Sequence, residues 1–403
     1  MATIGCSPSQ GSIFVSVSRP NLQSLSAGLL ATIVGFASSF AIVIQGLAAS
    51  GASPAEATSG LMALSISMGL CAIVGSLWTR IPVSIAWSTP GAALLVTAGP
   101  VEGGFAAAVG AFIICGLLIV LAGLIRPFGR AVAAIPSPLA NAMLAGVLFG
   151  LCLAPVKAVA ELPVSALIII AVWAIALRFA RLFAVPLAMA VTIVIALWTS
   201  GPIDLSSASW VSEPVLIKPV FSLEALVSIA LPLFIVTMAS QNIPGVAVLK
   251  AYGYAPQSGP LFTLSGIFSL LSAPFGGHAV NLAAITAAMC AGEDAHKNPG
   301  ERYWAAAVAG LVYVMFGLFA GLVMAFVAAT PAILIEAVAG LALLGAFAFS
   351  IGEATKATET RDSAIITFMV TASGVSFLGV SGAFWGLLAG GAFMALARTK
   401  AAK

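Results

Sequence analysis

The chain has 403 residues, of which 61% are apolar and 7% charged, and its formal net charge at pH 7 is +3. Soluble domains carry about 25% charged residues, so this chain cannot cover itself with a water-compatible surface and must be solvated by lipid. The positive charge is spread along the chain without a basic block, which argues against a nucleic-acid partner.

Residues 1–21 are predicted to form a cytoplasmic tail, because residues 1–18 carry no charge and lack the basic start of a signal peptide. Long charge-free stretches then follow one another to residue 397. Divided at their Pro and Gly clusters, these stretches predict about 14 membrane spans. The approximate positions of the spans are 22–49, 56–78, 83–98, 104–125, 137–154, 163–178, 184–200, 223–242, 259–272, 277–291, 303–328, 331–350, 363–379 and 382–398.

The distribution of basic residues predicts the orientation of these spans. With the N-terminus in the cytoplasm and the sides alternating, every Lys and Arg except Lys157 and Lys218 lies on the cytoplasmic side. Cytoplasmic loops carry such an excess of Lys and Arg, so both termini are predicted to be cytoplasmic.

The longest polar loop falls outside, near the middle of the chain, and divides it into two halves of seven spans. The predicted organisation is a tail at 1–21, a first seven-span repeat at 22–200, an external linker at 201–222, a second seven-span repeat at 223–398 and a cytoplasmic tail at 399–403.

Spans three and ten do not read as plain helices. Residues 80–95 and 272–286 each contain a Pro, a short extended-type run, a polar elbow with glycine and then a helix of small residues. Interrupted spans at corresponding places of two halves mark the binding site of a transporter. A pair of Pro-kinked helices without a ligand remains the alternative.

Neither a metal site nor an enzyme is indicated. The five cysteines are scattered and the only histidines are His278 and His296, so we expect no metal and no cofactor. No metalloprotease, nucleophile-elbow or nucleotide-binding motif occurs in the chain. An enzyme or an ATP-driven pump is therefore not predicted.

Five segments resemble the BenE-type benzoate/proton symporter family, and the likeness extends from about residue 20 to 397. These segments are Trp87–Leu95 (WSTPGAALL), Leu231–Asn242 (LPLFIVTMASQN), Ala283–Ala288 (AAITAA), Val370–Gly374 (VTASG) and Gly382–Leu387 (GAFWGL). The family is related to uracil permeases and to sulfate and bicarbonate exchangers. The resemblance implies an all-α polytopic membrane protein of two inverted seven-span repeats, in which spans three and ten are broken by short strands. It also implies a core domain of spans 1–4 and 8–11 and a gate domain of spans 5–7 and 12–14.

The predicted site lies between the two broken spans. The elbow at Trp87–Gly91 and the elbow at Phe275–Asn281 would each start a half-helix, with the two helix N-termini facing each other near the middle of the bilayer. Each N-terminus offers unpaired N–H groups and about half a positive charge, which suits a carboxylate.

Individual roles follow from residue type. Ser88 and Thr89 are predicted to cap the first half-helix or to donate to the ligand, while Trp87 and Phe275 would sandwich an aromatic ring. Gly276 and Gly277 would allow close approach of the backbone. The alternatives are that the two hydroxyls serve only as caps and that Trp87 is a packing residue or an interfacial anchor. The residues predicted to bind substrate are Trp87, Ser88, Thr89, Gly91, Gln241, Asn242, Phe275, Gly276, Gly277 and Asn281.

The eighth span differs from the pattern of the nucleobase relatives, which carry an acidic residue there for substrate and proton. Here Ser240–Asn242 is uncharged, which suits an anionic ligand. His278 is the predicted proton-coupling residue, because histidine titrates in the useful range. A neutral structural histidine, Glu336 in the twelfth span, or a ligand that carries the proton itself are the alternatives.

The sequence thus predicts a secondary active transporter that imports benzoate or a similar aromatic carboxylate with a proton. It would reside in the cytoplasmic (inner) membrane of a bacterium and contact the lipid bilayer. Because relatives often pair through their gate domains, a homodimer is also considered. The alternatives are a transporter of another small anion or a nucleobase on the same fold, and a passive anion channel.

Overall fold

A computed structural model describes residues 19–133, 136–200, 212–375, 377 and 380–401. Most of the predicted N-terminal tail, residues 201–211 of the predicted linker and the last two residues lie outside the described part.

The described residues of the first half form ten α-helices and one strand. They are α1 (Leu22–Ala37), α2 (Phe40–Ala49), α3 (Pro54–Thr79), β1 (Ile85–Trp87), α4 (Thr89–Ala98), α5 (Gly104–Leu124), α6 (Arg126–Ala133), α7 (Ser137–Cys152), α8 (Ala154–Glu161), α9 (Pro163–Phe179) and α10 (Ala184–Ser200).

The described residues of the second half likewise form α-helices and one strand. They are α11 (Leu223–Ala225), α12 (Leu231–Thr237), α13 (Ile243–Ala251), α14 (Ser258–Ser272), β2 (Val280–Leu282), α15 (Ile285–Ala291), α16 (Tyr303–Leu318), α17 (Ala320–Ala329), α18 (Ala332–Thr355), α19 (Arg361–Ala372) and α20 (Gly382–Ala401). Two π-helical turns, Leu226–Ala230 and Met238–Asn242, join α11, α12 and α13 into one span.

Local sequence explains where these helices start and how closely they pack. Ser53 and Glu56 form a capping box at the start of α3, and Pro54 occupies its first position, where a missing N–H costs nothing. Gly69 in α3 and Gly310 in α16 face each other so closely that a Cβ on either would lie within 2.5 Å of the other's carbonyl oxygen. Such small residues let membrane helices approach each other.

Within the described residues, eight helices are long and apolar enough to cross a membrane, or nine if the bent pair Pro299–Leu318 and Ala320–Ala329 counts as one span. The shorter apolar helices are α4, α9 and α20. A helical segment lies at each of the predicted span positions, and the predominantly helical membrane fold is confirmed. The count of about 14 spans and the inverted repeat remain predictions.

The helices pack into two groups. In the first group, α1–α5 pack with α11–α17, chiefly through α3 on α16 and α5 on α14. In the second group, α7–α10 pack with α18–α20, chiefly through α18 and α19 on α7. Fewer contacts join the groups, and the main ones are α4 and the π turn Met238–Asn242 on α7, α1 on α10, and α2 on α18.

The third and tenth segments meet in a two-stranded antiparallel ladder, which confirms the predicted short strands. The register pairs Ile85 with Leu282, Ala86 with Asn281 and Trp87 with Val280. Each strand leads into a short helix, β1 into α4 and β2 into α15. The ladder therefore holds the two half-helices at its opposite ends.

Candidate substrate site at the crossed strands

The ends of the ladder are fixed by backbone hydrogen bonds. At one end the Ser88 N–H donates to the Ala279 carbonyl at 2.9 Å, and at the other the Ala283 N–H donates to the Ser84 carbonyl at 3.0 Å. From Ser84 to Ser88 the strand rises roughly 14 Å, at about 3.4 Å per residue. The N-termini of α4 and α15 are therefore too far apart for one carboxylate to hydrogen-bond both of them.

The N-terminus of α4 is capped by its own sequence. The Ser88 side chain accepts the Gly91 N–H at 3.2 Å, and Pro90 has no N–H to offer. Ser88 Oγ also lies 2.8 Å from Thr237 Oγ1 in α12, so this buried hydroxyl is fully engaged in the scaffold. Thr89 is half-buried, and its hydroxyl has no hydrogen-bond partner among the described residues.

The second half-helix begins later than the sequence suggested. The prediction that the elbow at Phe275–Asn281 starts this half-helix is wrong. Val280–Leu282 is a strand, and α15 begins only at Ile285. No side chain caps α15, whose N-cap position is Ala284. The glycine-rich stretch before β2 had suggested a helix start, whereas Ala283–Ala284 carries no capping signal.

The predicted residues at that elbow have packing roles. Gly276 has φ +90°, a conformation that favours glycine, and an added Cβ would lie 3.3 Å from the Cα of Gly60 in α3. A Cβ on Gly277 would meet the Ser272 side chain at 2.7 Å. The Phe275 carbonyl accepts the Ser59 hydroxyl at 3.0 Å. Gly91 likewise makes room for Leu233, which a Cβ would meet at 2.4 Å.

The predicted sandwich of a ligand ring between Trp87 and Phe275 stays a prediction, and the structure shows which protein groups Trp87 contacts. Its ring lies 5.3 Å from that of Phe36, and its indole N–H donates to Ser39 Oγ at 2.8 Å, at the break between α1 and α2. Phe36 in turn contacts Phe40 and Phe316, so Trp87 belongs to an aromatic cluster of four rings.

The outer edges of the two strands differ. On β2 the Val280 N–H donates to Ser269 Oγ at 2.9 Å, and the Leu282 N–H donates to Asn242 Oδ1 at 2.9 Å. On β1 the corresponding N–H groups of Ile85 and Trp87 have no hydrogen-bond partner in the part of the chain that the structure describes. The edge of β1 is thus the one whose backbone N–H donors have no partner among the described residues.

The polar residues of the eighth span divide in the same way. Asn242 is fully buried, and its amide also donates to Met238 Sδ at 3.2 Å, so both ends of the amide are engaged within the protein. Gln241 is half-buried and makes no hydrogen bond to another described residue. Both lie in the π turn Met238–Asn242, and π turns occur often at functional sites.

Asn281 lies on the ladder opposite Ala86 and is fully buried. The hydrogen-bond network orients its amide with the oxygen 3.0 Å from the Ser88 nitrogen and the nitrogen 2.9 Å from the Leu282 carbonyl oxygen. The Ser88 N–H is thus shared by two acceptors, and Asn281 reinforces the capped end of the ladder.

His278 immediately precedes Ala279 at the α4 end of the ladder and is fully buried. Its Nδ1 accepts the Ala279 N–H at 2.6 Å, and its ring lies edge-on to Phe112, with centroids 6.3 Å apart. Its Nε2 has no partner among the described residues. Glu336 lies elsewhere, half-buried in the first turns of α18, in the other helix group.

Sequence reasoning missed the residues that hold this site from a distance. Ser39, Thr237 and Ser269 bond to Trp87, Ser88 and Val280, and Thr286 Oγ1 lies 2.7 Å from Ser84 Oγ at the α15 end. Each is a small hydroxyl in an apolar span, and a single sequence does not tell such residues from ordinary helix-packing serines and threonines.

Comparison with known proteins places the chain among transporters. Residues 18–396 match the family model described as benzoate membrane transport protein. The chain is 44% identical to the inner membrane protein YdcO of Escherichia coli, over 91% of this chain and 94% of that protein. It is 35% identical to a benzoate membrane transport protein of Acinetobacter baylyi, over 92% and 94% of the two chains.

Solved structures show the same fold at low sequence identity. The transmembrane domain of the cyanobacterial bicarbonate transporter BicA matches with a TM-score of 0.59 at 17% identity, covering 93% of this chain and 96% of that one. SLC26A9 matches with a TM-score of 0.63 at 13% identity, where the alignment covers 93% of this chain and 65% of that chain.

Proposed function

The chain belongs to the BenE family of benzoate membrane transport proteins, and on that premise we propose that it imports benzoate or a similar aromatic carboxylate together with a proton. The observation that carries the proposal is the β1–β2 ladder, with unpaired backbone donors on the β1 edge next to the start of α4. Such a site binds a small anion without a fixed positive charge.

The carboxylate is assigned to the α4 end of β1. The backbone N–H of Trp87 and the Thr89 hydroxyl have no partner there among the described residues, and the α4 N-terminus adds its partial positive charge. Residues 84–91 and 279–286 contain no charged side chain, so neither an acid repels the anion nor a base holds it permanently. A transporter needs such moderate affinity, because it must also release its substrate.

The aromatic ring is assigned to the cluster of Phe36, Phe40, Trp87 and Phe316 beside this edge. Aromatic pairs in offset or edge-on arrangements gain about 0.5–1.5 kcal/mol beyond their burial. Gln241, whose amide is free, is assigned to contact the substrate from the eighth span.

Movement of one helix group against the other would expose the site to each side in turn. The division into α1–α5 with α11–α17 and α7–α10 with α18–α20 supports this, because relatively few contacts cross between the groups. The first group is the core and carries the ladder, whereas the second is the gate and covers α4 and the π turn Met238–Asn242 through α7. A second copy of the chain would pair through the gate.

The proton is assigned to His278, because its Nε2 is buried without a described partner and it adjoins the α4 end of the ladder. Burial of a polar atom without a partner is costly, which favours a functional reason for its presence. Glu336 in the gate and the carboxylate of the substrate are the remaining carriers.

The orientation is part of the same proposal, with both termini in the cytoplasm of a bacterial inner membrane. A cysteine at Leu216, which is 72% exposed in the linker, should react with an impermeant thiol reagent added to intact cells. A cysteine at Phe179, 81% exposed at the end of α9, should be protected. The background carries Cys152→Ser, since Cys152 is the half-buried cysteine among those described. Reversed labelling contradicts the orientation.

Uptake into proteoliposomes tests the function. We expect labelled benzoate to accumulate faster and to a higher level than in protein-free liposomes when an inward proton gradient is imposed, and this protein-dependent accumulation to collapse when a protonophore is added. Flux that only equilibrates benzoate, regardless of the gradient, identifies a passive channel instead. If unlabelled uracil or sulfate inhibits the uptake of labelled benzoate as strongly as unlabelled benzoate does, the substrate is assigned to another class.

A further inference from the structure

A second concavity lies away from the ladder, at the ends of α3, α5, α13 and α14. It has a volume of about 1250 Å³, and its lining includes Trp78, Leu124, Val246, Pro260 and Ile267. Pockets for drug-sized ligands usually measure about 300–1,000 Å³, so this cleft is larger than a benzoate site requires. None of the residues assigned to substrate lines it.

Three cations face this cleft without a counter-charge. Arg126, Arg130 and Lys250 belong to its lining, which contains no acidic residue. All three are exposed, and none forms a salt bridge or a side-chain hydrogen bond within the described residues. Unpaired cations gathered at one cleft create a positive potential that attracts an anionic group.

The rim of the cleft is apolar and faces outward from the helices. Trp78 and Leu124 are each 64% exposed, and Ile267 is 43% exposed. Exposed apolar side chains at the end of a span contact acyl chains, and Trp concentrates at the membrane–water interface. The lining of the cleft therefore combines three unpaired cations with exposed apolar side chains that suit contact with lipid.

The short helix α6 is fixed at this position. The Phe128 ring stacks on Phe234 of α12, with centroids 6.0 Å apart and planes 7° from parallel. This contact ties α6 to the core while Arg126 and Arg130 stay exposed. An amphipathic helix with basic residues on its polar face lies in the plane of the interface.

From this charge and apolar pattern we propose that the cleft binds the headgroup of an anionic phospholipid. The phosphate lies among Arg126, Arg130 and Lys250, and an acyl chain leaves past Leu124 and Ile267. The occupant is a lipid and not a soluble anion, because the cations and the exposed apolar side chains line the same cleft. The cations suit a phosphate group, and the apolar side chains suit an acyl chain. In the proposed orientation the lipid belongs to the cytoplasmic leaflet.

Native mass spectrometry of the full purified chain tests the proposal, with phosphatidylglycerol and phosphatidylcholine as probes. We expect the wild-type protein to bind phosphatidylglycerol more tightly than phosphatidylcholine. Arg126→Gln, Arg130→Gln and Lys250→Gln together should abolish that preference, weakening phosphatidylglycerol binding about a hundredfold, since each basic residue near a membrane surface contributes about 1 kcal/mol. Each single substitution should give part of the loss.

A matched variant removes the same charge elsewhere. Arg178→Gln, Arg181→Gln and Lys297→Gln change three exposed basic residues outside the cleft and should leave the lipid preference intact. Arg126→Lys with Arg130→Lys keeps the charge and should also bind normally. An unchanged thermal unfolding transition shows that every variant is folded.

Three results would overturn the proposal. One is an unchanged lipid preference in the triple cleft variant, and another is an equal loss in the matched variant, which would indicate charge without a site. The third is displacement of phosphatidylglycerol by inorganic phosphate or by benzoate, which would assign the cleft to a soluble anion.

Discussion

In the first broken segment the helix start is capped and the strand edge is open, whereas in the second the strand edge is capped and the helix start is open. Ser88 and Pro90 leave α4 with few free N–H groups, but the Trp87 N–H on β1 has no described partner. On β2, Ser269 and Asn242 cover the edge, and α15 has no side-chain cap.

The two segments are therefore not equivalent halves of one site. Free donors next to a helix N-terminus and beside an aromatic cluster occur together at β1, which is why the carboxylate is placed there. The N-terminus of α15, roughly 14 Å further along the ladder, contributes its dipole over a distance at which no hydrogen bond forms.

The largest expected effect comes from placing a carboxylate at the open end of β1. Thr89→Asp should leave the protein folded, because the α4 N-terminus favours a negative charge. It should weaken benzoate binding at least about a hundredfold, because the new carboxylate repels the ligand's charge and takes its donors. Equilibrium binding of labelled benzoate measures the loss.

Thr89→Ser is the control for this substitution and should bind nearly as wild type, since the hydroxyl remains. If folded Thr89→Asp protein binds benzoate normally, the carboxylate does not lie at α4, and the α15 end becomes the better assignment.

Neighbouring amides in the eighth span sharpen the comparison further. Gln241→Ala should weaken benzoate binding about tenfold with little change in stability, because it removes a free donor near the substrate. Asn242→Ala should cost about 1–3 kcal/mol of stability, because the buried Leu282 N–H loses its acceptor. Thermal unfolding and binding measured on both variants separate the roles, and exchanged phenotypes would contradict the assignment.

His278 tests whether the α4 end of the ladder also handles the proton. His278→Ala should reduce proton-driven accumulation of benzoate while exchange of benzoate across the membrane continues. His278→Asn, which still offers an acceptor to the Ala279 N–H, should show the same loss if protonation matters and no loss if only the hydrogen bond matters. Wild-type accumulation in both variants would make Glu336 or the substrate itself the carrier.

The smallest effect is expected at the cap of α4. Ser88→Ala removes a capping oxygen and the partner of Thr237, and should cost about 1 kcal/mol of stability. Benzoate binding should stay within a few-fold of wild type, because Ser88 is already engaged within the protein. A loss of binding as large as that of Thr89→Asp would show that the Ser88 hydroxyl contacts the substrate.

The sequence predicted the first broken segment better than the second, for a physical reason. Ser88, Pro90 and Gly91 are capping and first-turn residues, so the start of α4 could be located from local chemistry. In the second segment Gly276 and Gly277 serve a turn packed on α3 and α14, while α15 starts at plain alanines, and the predicted elbow therefore fell too early.

Long-range partners could not be predicted from the sequence at all. The Trp87 indole finds Ser39, and the Leu282 N–H finds Asn242, 40 residues away in the chain. The helical positions, in contrast, follow from charge-free runs of the length that a bilayer requires, and a helix was found at each of them.

A structure of the protein with bound 4-iodobenzoate tests the central assignment most directly, because the iodine atom marks the ring and fixes the direction of the carboxylate. We expect the carboxylate within hydrogen-bonding distance of the backbone nitrogen of Trp87 and of the Thr89 hydroxyl. The iodinated ring should lie against the cluster that contains Phe36 and Phe316. A carboxylate on the α15 N-terminus, or an iodine atom in the basic cleft of Arg126 and Lys250, would contradict it.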